Sequence, residues 1–354
     1  MRWMLMHAGV KLGLALYGFH RTQRLPVLPV CPVSGPLPSL SIIVPARNEA
    51  ENLRRLLPSL RQLRYPGPLE ILVVDDQSRD DTARVAAAFG IPVLSIRELP
   101  QGWLGKPYAA HQGALATRGE WLLFTDADTW HAPDSAASAV AWALTHEADG
   151  LTLFPAFDFN SALEAAALAA AFAGLFAALR ASHGIVNGQY LLIRREVYER
   201  IGGFAAVRDQ MLEDLALGVR LHASGYRVPM LDGQHALRVR MYSGLRHMLD
   251  GMSRLSAGTL VWPGLRPWIA ALLIAWLATP FSIPRLGIRD RGWTALISWA
   301  TSGLSLLPWT WRMGRPEAAL LAPLGAAIVA VAGLRGLFQR WIGTGIHWKE
   351  RRVR

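Results

Sequence analysis

The chain has 354 residues, 52% hydrophobic and only 18% charged, which is too apolar for an ordinary soluble enzyme and too charged for a bundle made only of membrane spans. Its 37 Lys and Arg against 26 Asp and Glu leave a net charge of +11, which suits an anionic membrane, a phosphorylated substrate or nucleic acid equally. The single cysteine, Cys31, excludes an intramolecular disulfide.

Residues 1–20 are apolar but interrupted by His7 and Lys11, the composition of a hydrophobic anchor or interfacial helix. Residues 21–38 carry repeated prolines, which exclude helix and central strand, and read as an extended linker. A globular domain is expected over residues 39–254. It opens with the β-branched strand "SLSIIVPA", followed by a helix with Leu53, Leu56, Leu57, Leu60 and Leu63 on one face. "LEILVVDD" repeats the pattern, with Asp75 and Asp76 at the strand end and an alanine-rich helix that Gly90 stops. "IPVLSI" and "GEWLLFTDAD" follow, separated by a helix over 108–117. Strands alternating with helices predict an α/β fold with a mostly parallel sheet, in which ligands bind beyond the carboxyl ends of the strands. Further on, "SALEAAALAAAFAGLFAALR" reads as a packed helix, "NGQYLLIRREVYERIGGF" as strand then helix, and "MLEDLALGVRLHASGY" as a helix opened by an acidic pair.

Over residues 255–340 the composition shifts to three charge-free runs, 267–284, 293–311 and 318–334, each approaching the roughly 20 residues that cross a bilayer. C-terminal transmembrane helices are expected here, ahead of a basic tail at 341–354. Arginines flank these apolar runs, so the expected partner of the positive charge is the membrane, with no nucleic acid. The chain reads as a multi-pass protein of the cell membrane with its globular domain facing the cytoplasm.

The chemistry concentrates at strand and helix ends. Asp126 and Asp128 stand at i and i+2 after an apolar strand, where both can approach one hard divalent cation, Mg²⁺ or Mn²⁺. Asp214, at the opening of a helix, is placed to take a proton from a hydroxyl, although Glu213 and Asp214 fit helix capping and dipole compensation equally. Asn187, Gly188 and Gln189 line an acceptor site or make only a turn. His183, His222 and His235 lack metal-ligand spacing.

The segments "SIIVPARNEAENL", "EILVVDDQSRDDT", "GEWLLFTDADT", "GQYLLIRREVYERIGGF" and "LEDLALGVRL" occur in the order and spacing of family 2 glycosyltransferases, so residues 39–221 resemble that family. On "GWLGKPYAAHQG", "NGQY" and "GIHWKERRVR" the chain is most similar to its membrane-bound carotenoid- or hopanoid-associated members. The resemblance implies a GT-A nucleotide-sugar-binding domain. It implies Pro45, Ala46 and Glu49 at the nucleotide edge, with Arg47 where many members carry tyrosine. It implies Asp76 on the uracil or ribose, Lys106 and Asp126 at the donor phosphates, and Asp126 and Asp128 on the metal. Asp214 is implied as catalytic base, with Glu213, Asn187 and Gln189 toward the acceptor. The implied activity is inverting transfer of a hexose, from UDP-glucose, to a lipid such as a carotenoid or other terpenoid. Because a Gln-x-x-Arg-Trp pattern is lacking, single transfer is favoured over polymerisation. A polyprenyl-phosphate or glycolipid acceptor is an alternative, and a catalytically silent nucleotide-sugar-binding membrane protein is an alternative of another class.

Overall fold

The structure, a computed structural model, describes residues 2–178, 185–260, 291–342, 346–348 and 351–353. The chain divides into two compact units: a sheet unit, Leu25–Asp158 with Ala181–Met241, and a helical unit, Met1–Arg24 with Phe159–Arg180 and Tyr242–Arg354.

The chain opens with α1 (Arg2–Gln23) of the helical unit. The sheet unit then supplies β1 (Leu40–Ala46), α2 (Ala50–Arg61), β2 (Leu69–Asp75), α3 (Thr82–Ala88), β3 (Val93–Ser95) and α4 (Gly105–Ala116). It continues with β4 (Trp121–Thr125), β5 (Thr129–His131), α5 (Ser135–Thr145), β6 (Gly150–Phe154) and β7 (Ala156–Phe157). After α6 (Ala162–Ala178) of the helical unit come β8 (Tyr190–Arg194), α7 (Arg195–Arg200), α8 (Glu213–Ala223), β9 (Met230–Asp232) and β10 (Leu237–Val239). The helices α9 (Leu245–Leu260), α10 (Arg291–Arg312) and α11 (Ala322–Trp341), with the hairpin β11 (Ile346–Trp348) and β12 (Arg351–Val353), belong to the helical unit.

In the sheet unit seven strands pair in the order β3-β2-β1-β4-β8-β6-β9. All pairings are parallel except those of β8, which runs antiparallel to both β4 and β6. This is a GT-A-type α/β sheet, mostly parallel. Strands β1, β4 and β8 are buried over almost their whole length, as near-continuous apolar runs such as "SIIV" and "WLLF" require when helices cover both faces. The chain progresses outward from β1 to β3 and then returns to the other side of β1 with β4, so a topological switch point lies between the carboxyl ends of β1 and β4. A small second sheet, β5-β10-β7, stands after β4 and carries the turn that follows it. The proline-rich segment is extended and docked: Leu28 N–H donates to Asp232 O at 2.9 Å and Asp232 N–H to Pro26 O at 2.8 Å. Pro26 contributes only its carbonyl, so its missing N–H costs nothing there.

In the helical unit, small residues let helices approach closely. A Cβ at Gly18 of α1 would lie 2.9 Å from Ala173 O of α6, and one at Gly325 of α11 would lie 2.5 Å from the Ala166 carbonyl carbon. Trp309 of α10 is fully buried and donates its indole N–H to Ala15 O at 3.0 Å. The alanine-rich α6 is therefore a packed helix of this unit. Among the described residues one helix, Pro316–Gln339, is long and apolar enough to cross a membrane. It contains the 318–334 run. The 293–311 run lies in α10, where Ser298, Thr301, Ser302, Ser305 and Thr310 dilute the apolarity below that level. The 267–284 run lies outside the described residues.

Candidate active site

A cleft opens at the switch point, lined among others by Pro45, Lys106, Thr125, Asp126, Gly188, Glu213 and Asp214. Pro45 is the penultimate residue of β1 and Asp126 directly follows β4. Lys106 stands in the first turn of α4, Glu213 and Asp214 in the first turn of α8. Two helix N-termini thus face the cleft, and the macrodipole of α8 favours its two carboxylates.

Lys106 Nζ joins the acidic groups, 2.6 Å from Asp126 Oδ1 and 3.3 Å from Glu213 Oε1. Burial alone would lower the Lys106 pKa; Asp126, then Glu213 and Asp214, overcome this and hold it above its ordinary value. Asp214 is fixed by two backbone donors, Gly188 N–H to Oδ2 at 3.0 Å and Leu215 N–H to Oδ1 at 2.8 Å. The second bond satisfies one of the free N–H groups in the first turn of α8, so Asp214 both serves the helix terminus and faces the cleft. Burial, and next the Glu213 carboxylate, hold the Asp214 carboxyl above the ordinary carboxylate value, against the opposing pull of Lys106 and its two N–H donors.

The other expected site residues stand around this centre and not among the residues that line the cleft. Ala46 ends β1 and its carbonyl accepts the Asp76 N–H at 2.8 Å, which sets the buried Asp76 side by side with the β1 terminus. Arg47 braces the same turn, donating from Nη1 to Asp76 O at 2.7 Å and Gln77 O at 3.2 Å. Glu49 precedes α2 and accepts from Asn52 Nδ2 at 2.6 Å. Asp128 lies at the far side of the turn after β4, its carbonyl accepting Arg240 N–H at 3.0 Å. Asn187 and Gln189 hold their loop: Asn187 Nδ2 donates to Leu153 O at 2.9 Å and to Gln189 Oε1 at 3.2 Å. The loop residue that reaches the cleft is Gly188, where a Cβ would meet Asp214 Oδ2 at 3.0 Å and Lys106 Nζ at 3.3 Å.

Sequence reasoning missed the buried polar group under the Asp126–Asp128 turn: Thr125, Thr129, His131 and Tyr190. Burial drops the His131 pKa to about 3, so the ring is neutral at any physiological pH. The available signal was Thr129 and His131 at i and i+2, two polar residues sharing one face of a strand.

The mostly parallel seven-stranded sheet, with an acidic cleft at its switch point, is a GT-A-type fold. Residues 41–215 match the glycosyl transferase family 2 profile. The chain is similar to the 4,4'-diaponeurosporenoate glycosyltransferases of Staphylococcus aureus, with 28% identity for strain USA300 and 29% for strain bovine RF122 / ET3-1. Both matches cover 68% of this chain and 66% of the relative's own length. In fold it is similar to a mannosyltransferase from Pyrobaculum calidifontis solved in complex with GDP-Man and Mn²⁺. That match has TM-score 0.59 and 19% identity over 95% of this chain and 98% of the other.

Proposed function

We propose that this protein is a membrane-bound, inverting, non-processive glycosyltransferase that moves a hexose from a nucleotide sugar, UDP-glucose, to a carotenoid-type or other terpenoid lipid. The observation that carries this reading is the cleft in which the Asp126–Lys106 pair faces Asp214. The diaponeurosporenoate in the staphylococcal relatives' name supports a carotenoid-type acceptor. The apolar surface of α10 and α11, with Trp299, Leu304, Trp311, Leu334, Phe338 and Trp341 exposed, supports the membrane.

In this reading Asp76, beside the β1 terminus, receives the nucleoside, and Pro45, Ala46 and Glu49 shape its edge. Lys106, at the amino end of α4, pairs with the donor phosphates. The donor set suits Mg²⁺ or Mn²⁺: Asp126 and Asp128 are hard oxygen ligands, and Asp126, Glu213 and Asp214 around one ammonium leave an excess of negative charge for a cation to offset. No cluster of three metal-ligating side chains stands among the described residues, so phosphate oxygens would complete the coordination. Bound there, the cation neutralises charge on the departing diphosphate. Asp214, its two oxygens aimed by Gly188 and Leu215, takes the proton of an acceptor hydroxyl as that oxygen attacks the anomeric carbon, and the bond to the nucleoside diphosphate breaks on the opposite face. Asn187 and Gln189 hold the loop on the acceptor side.

The reading is tested by incubating membranes that hold the protein with labelled UDP-glucose and a terpenoid extract, then identifying the labelled lipid by mass spectrometry. A hexosylated terpenoid is expected; label appearing only on polyprenyl phosphate moves the acceptor to that alternative.

A further inference from the structure

The polar group under the Asp126–Asp128 turn brings together two hydroxyls, two backbone carbonyls and one imidazole. Thr125 Oγ1 lies 2.9 Å from Gln189 O, and Thr129 Oγ1 lies 2.7 Å from Asp126 O. A carbonyl only accepts, so a hydroxyl that gives its single proton to its carbonyl has none left for its neighbour. The two hydroxyl oxygens are nevertheless 3.0 Å apart, with both protons directed elsewhere. His131 Nε2 sits against both, 3.1 Å from Thr125 Oγ1 and 3.4 Å from Thr129 Oγ1. Only a proton on Nε2 supplies the missing donor. All three side chains are buried, so solvent does not substitute. The ring's Nδ1 is then an acceptor; it has no partner among the described residues, and neither does the buried hydroxyl of Tyr190, whose ring lies 5.6 Å away. The leftover groups are thus one acceptor and one donor.

We propose that His131 is a positioning residue, held as the neutral Nε2–H tautomer, that locks the Asp126–Asp128 turn to the Asn187–Gln189 loop through Thr129 and Thr125. Its Nε2–H orients both hydroxyls outward, Thr129 onto the Asp126 carbonyl and Thr125 onto the Gln189 carbonyl. Asp126 and Gly188 are thereby held at a fixed separation, and with them Lys106, paired to Asp126, and Asp214, bonded to Gly188. The tautomer stands on the hydrogen-bond geometry alone. The consequence for donor binding rests on the reading of Asp126 and Asp128 given above.

Two measurements test it. In protein labelled with ¹⁵N-histidine, with the signal assigned by its loss in His131→Gln, the His131 ring should show a protonated Nε2 and a bare Nδ1. A protonated Nδ1 overturns the proposal. Thr129→Val removes the hydroxyl at constant shape and should raise the Mn²⁺ concentration for half-maximal transfer by about tenfold, a loss of uniform binding. Thr129→Ser, which keeps the hydroxyl, should return it to within about twofold of wild type. Half-saturation by Mn²⁺ that is the same in wild type and Thr129→Val overturns the lock, as does a defect in Thr129→Val that serine does not rescue. If wild type itself transfers no sugar with any metal, the functional reading fails while the tautomer result still decides the network.

Discussion

The ammonium of Lys106 lies 2.6 Å from Asp126 Oδ1 and 3.3 Å from Glu213 Oε1, bridging the end of β4 and the start of α8. With Lys106→Met, three neighbouring carboxylates lose their common counter-charge and repel one another. Transfer should fall at least about 100-fold, the range for removing one electrostatic donor from a catalytic site, and the thermal midpoint should drop as well. Lys106→Arg should not restore turnover, because a planar fork cannot take the place of a compact ammonium between two carboxylates. Turnover and thermal melts on the three proteins check this.

Gly188 is required for space. A Cβ there would stand 3.0 Å from Asp214 Oδ2 and 3.3 Å from Lys106 Nζ, tighter than ordinary contact, so Gly188→Ala must displace the carboxylate or the ammonium. The variant should fold normally and lose about tenfold in kcat with a smaller change in donor KM. Steady-state kinetics on the purified variant measure both.

The carboxyl of Asp214 is held above its ordinary value by burial and by Glu213. A general base works deprotonated, so activity on a hydroxylated acceptor should be present above this raised pKa and lost as pH falls through it. The acid limb of kcat/KM should therefore lie above pH 3.8, the ordinary aspartate value, and should flatten for an acceptor that is already a carboxylate. A pH–rate profile on both acceptor types reads this out.

The pKa of His131 is shifted the other way, downward by burial, and the consequence falls on stability. Its pKa is about 3 in the folded protein against 6.5 as an ordinary histidine, so below pH 6.5 the unfolded chain gains a proton that the folded chain refuses. The stability associated with the neutral ring is present above pH 6.5 and is lost as pH falls toward 3. Between pH 7 and pH 5 wild type should lose about 2 kcal/mol more than His131→Gln, which has no such group to titrate. Urea unfolding of both proteins at the two pH values gives the difference.

If Asp126 and Asp128 hold a divalent cation against the diphosphate, chelation should abolish transfer, and Asp128→Asn should lose most activity while keeping its fold. Asp76→Ala should weaken donor binding first, raising KM more than it lowers kcat. Titrating activity with Mg²⁺ and Mn²⁺ after chelation is the check.

What was legible in the sequence was local. "TDAD" after an apolar strand and "LEDLALG" at a helix opening mark their elements by periodicity and composition, and the switch point follows from strand–helix alternation. Strands of three residues, such as β5 and β10, carry no period long enough to read, so the small sheet under the Asp126–Asp128 turn and its His131 network were not visible. Nor could the spacing of "NGQ" reveal that Asn187 and Gln189 brace the loop while Gly188 reaches Asp214, because that depends on β8 running antiparallel beside β4. The helix α6 looks in sequence like any packed alanine-rich helix, and its membership of the helical unit is decided by contacts with residues far along the chain.

The central claim, that Asp214 is the base of a transfer reaction in this cleft, is tested most directly by Asp214→Asn with a hydroxylated lipid acceptor. Asparagine keeps the size and an oxygen that can accept from Gly188 or Leu215, while it cannot take up the acceptor's proton. Donor affinity by calorimetry should stay at the wild-type value, and kcat should fall by roughly 100-fold or more, the range for losing a general base. Turnover of the hydroxylated lipid by Asp214→Asn at the wild-type rate would contradict the account and leave Asp214 as a helix cap.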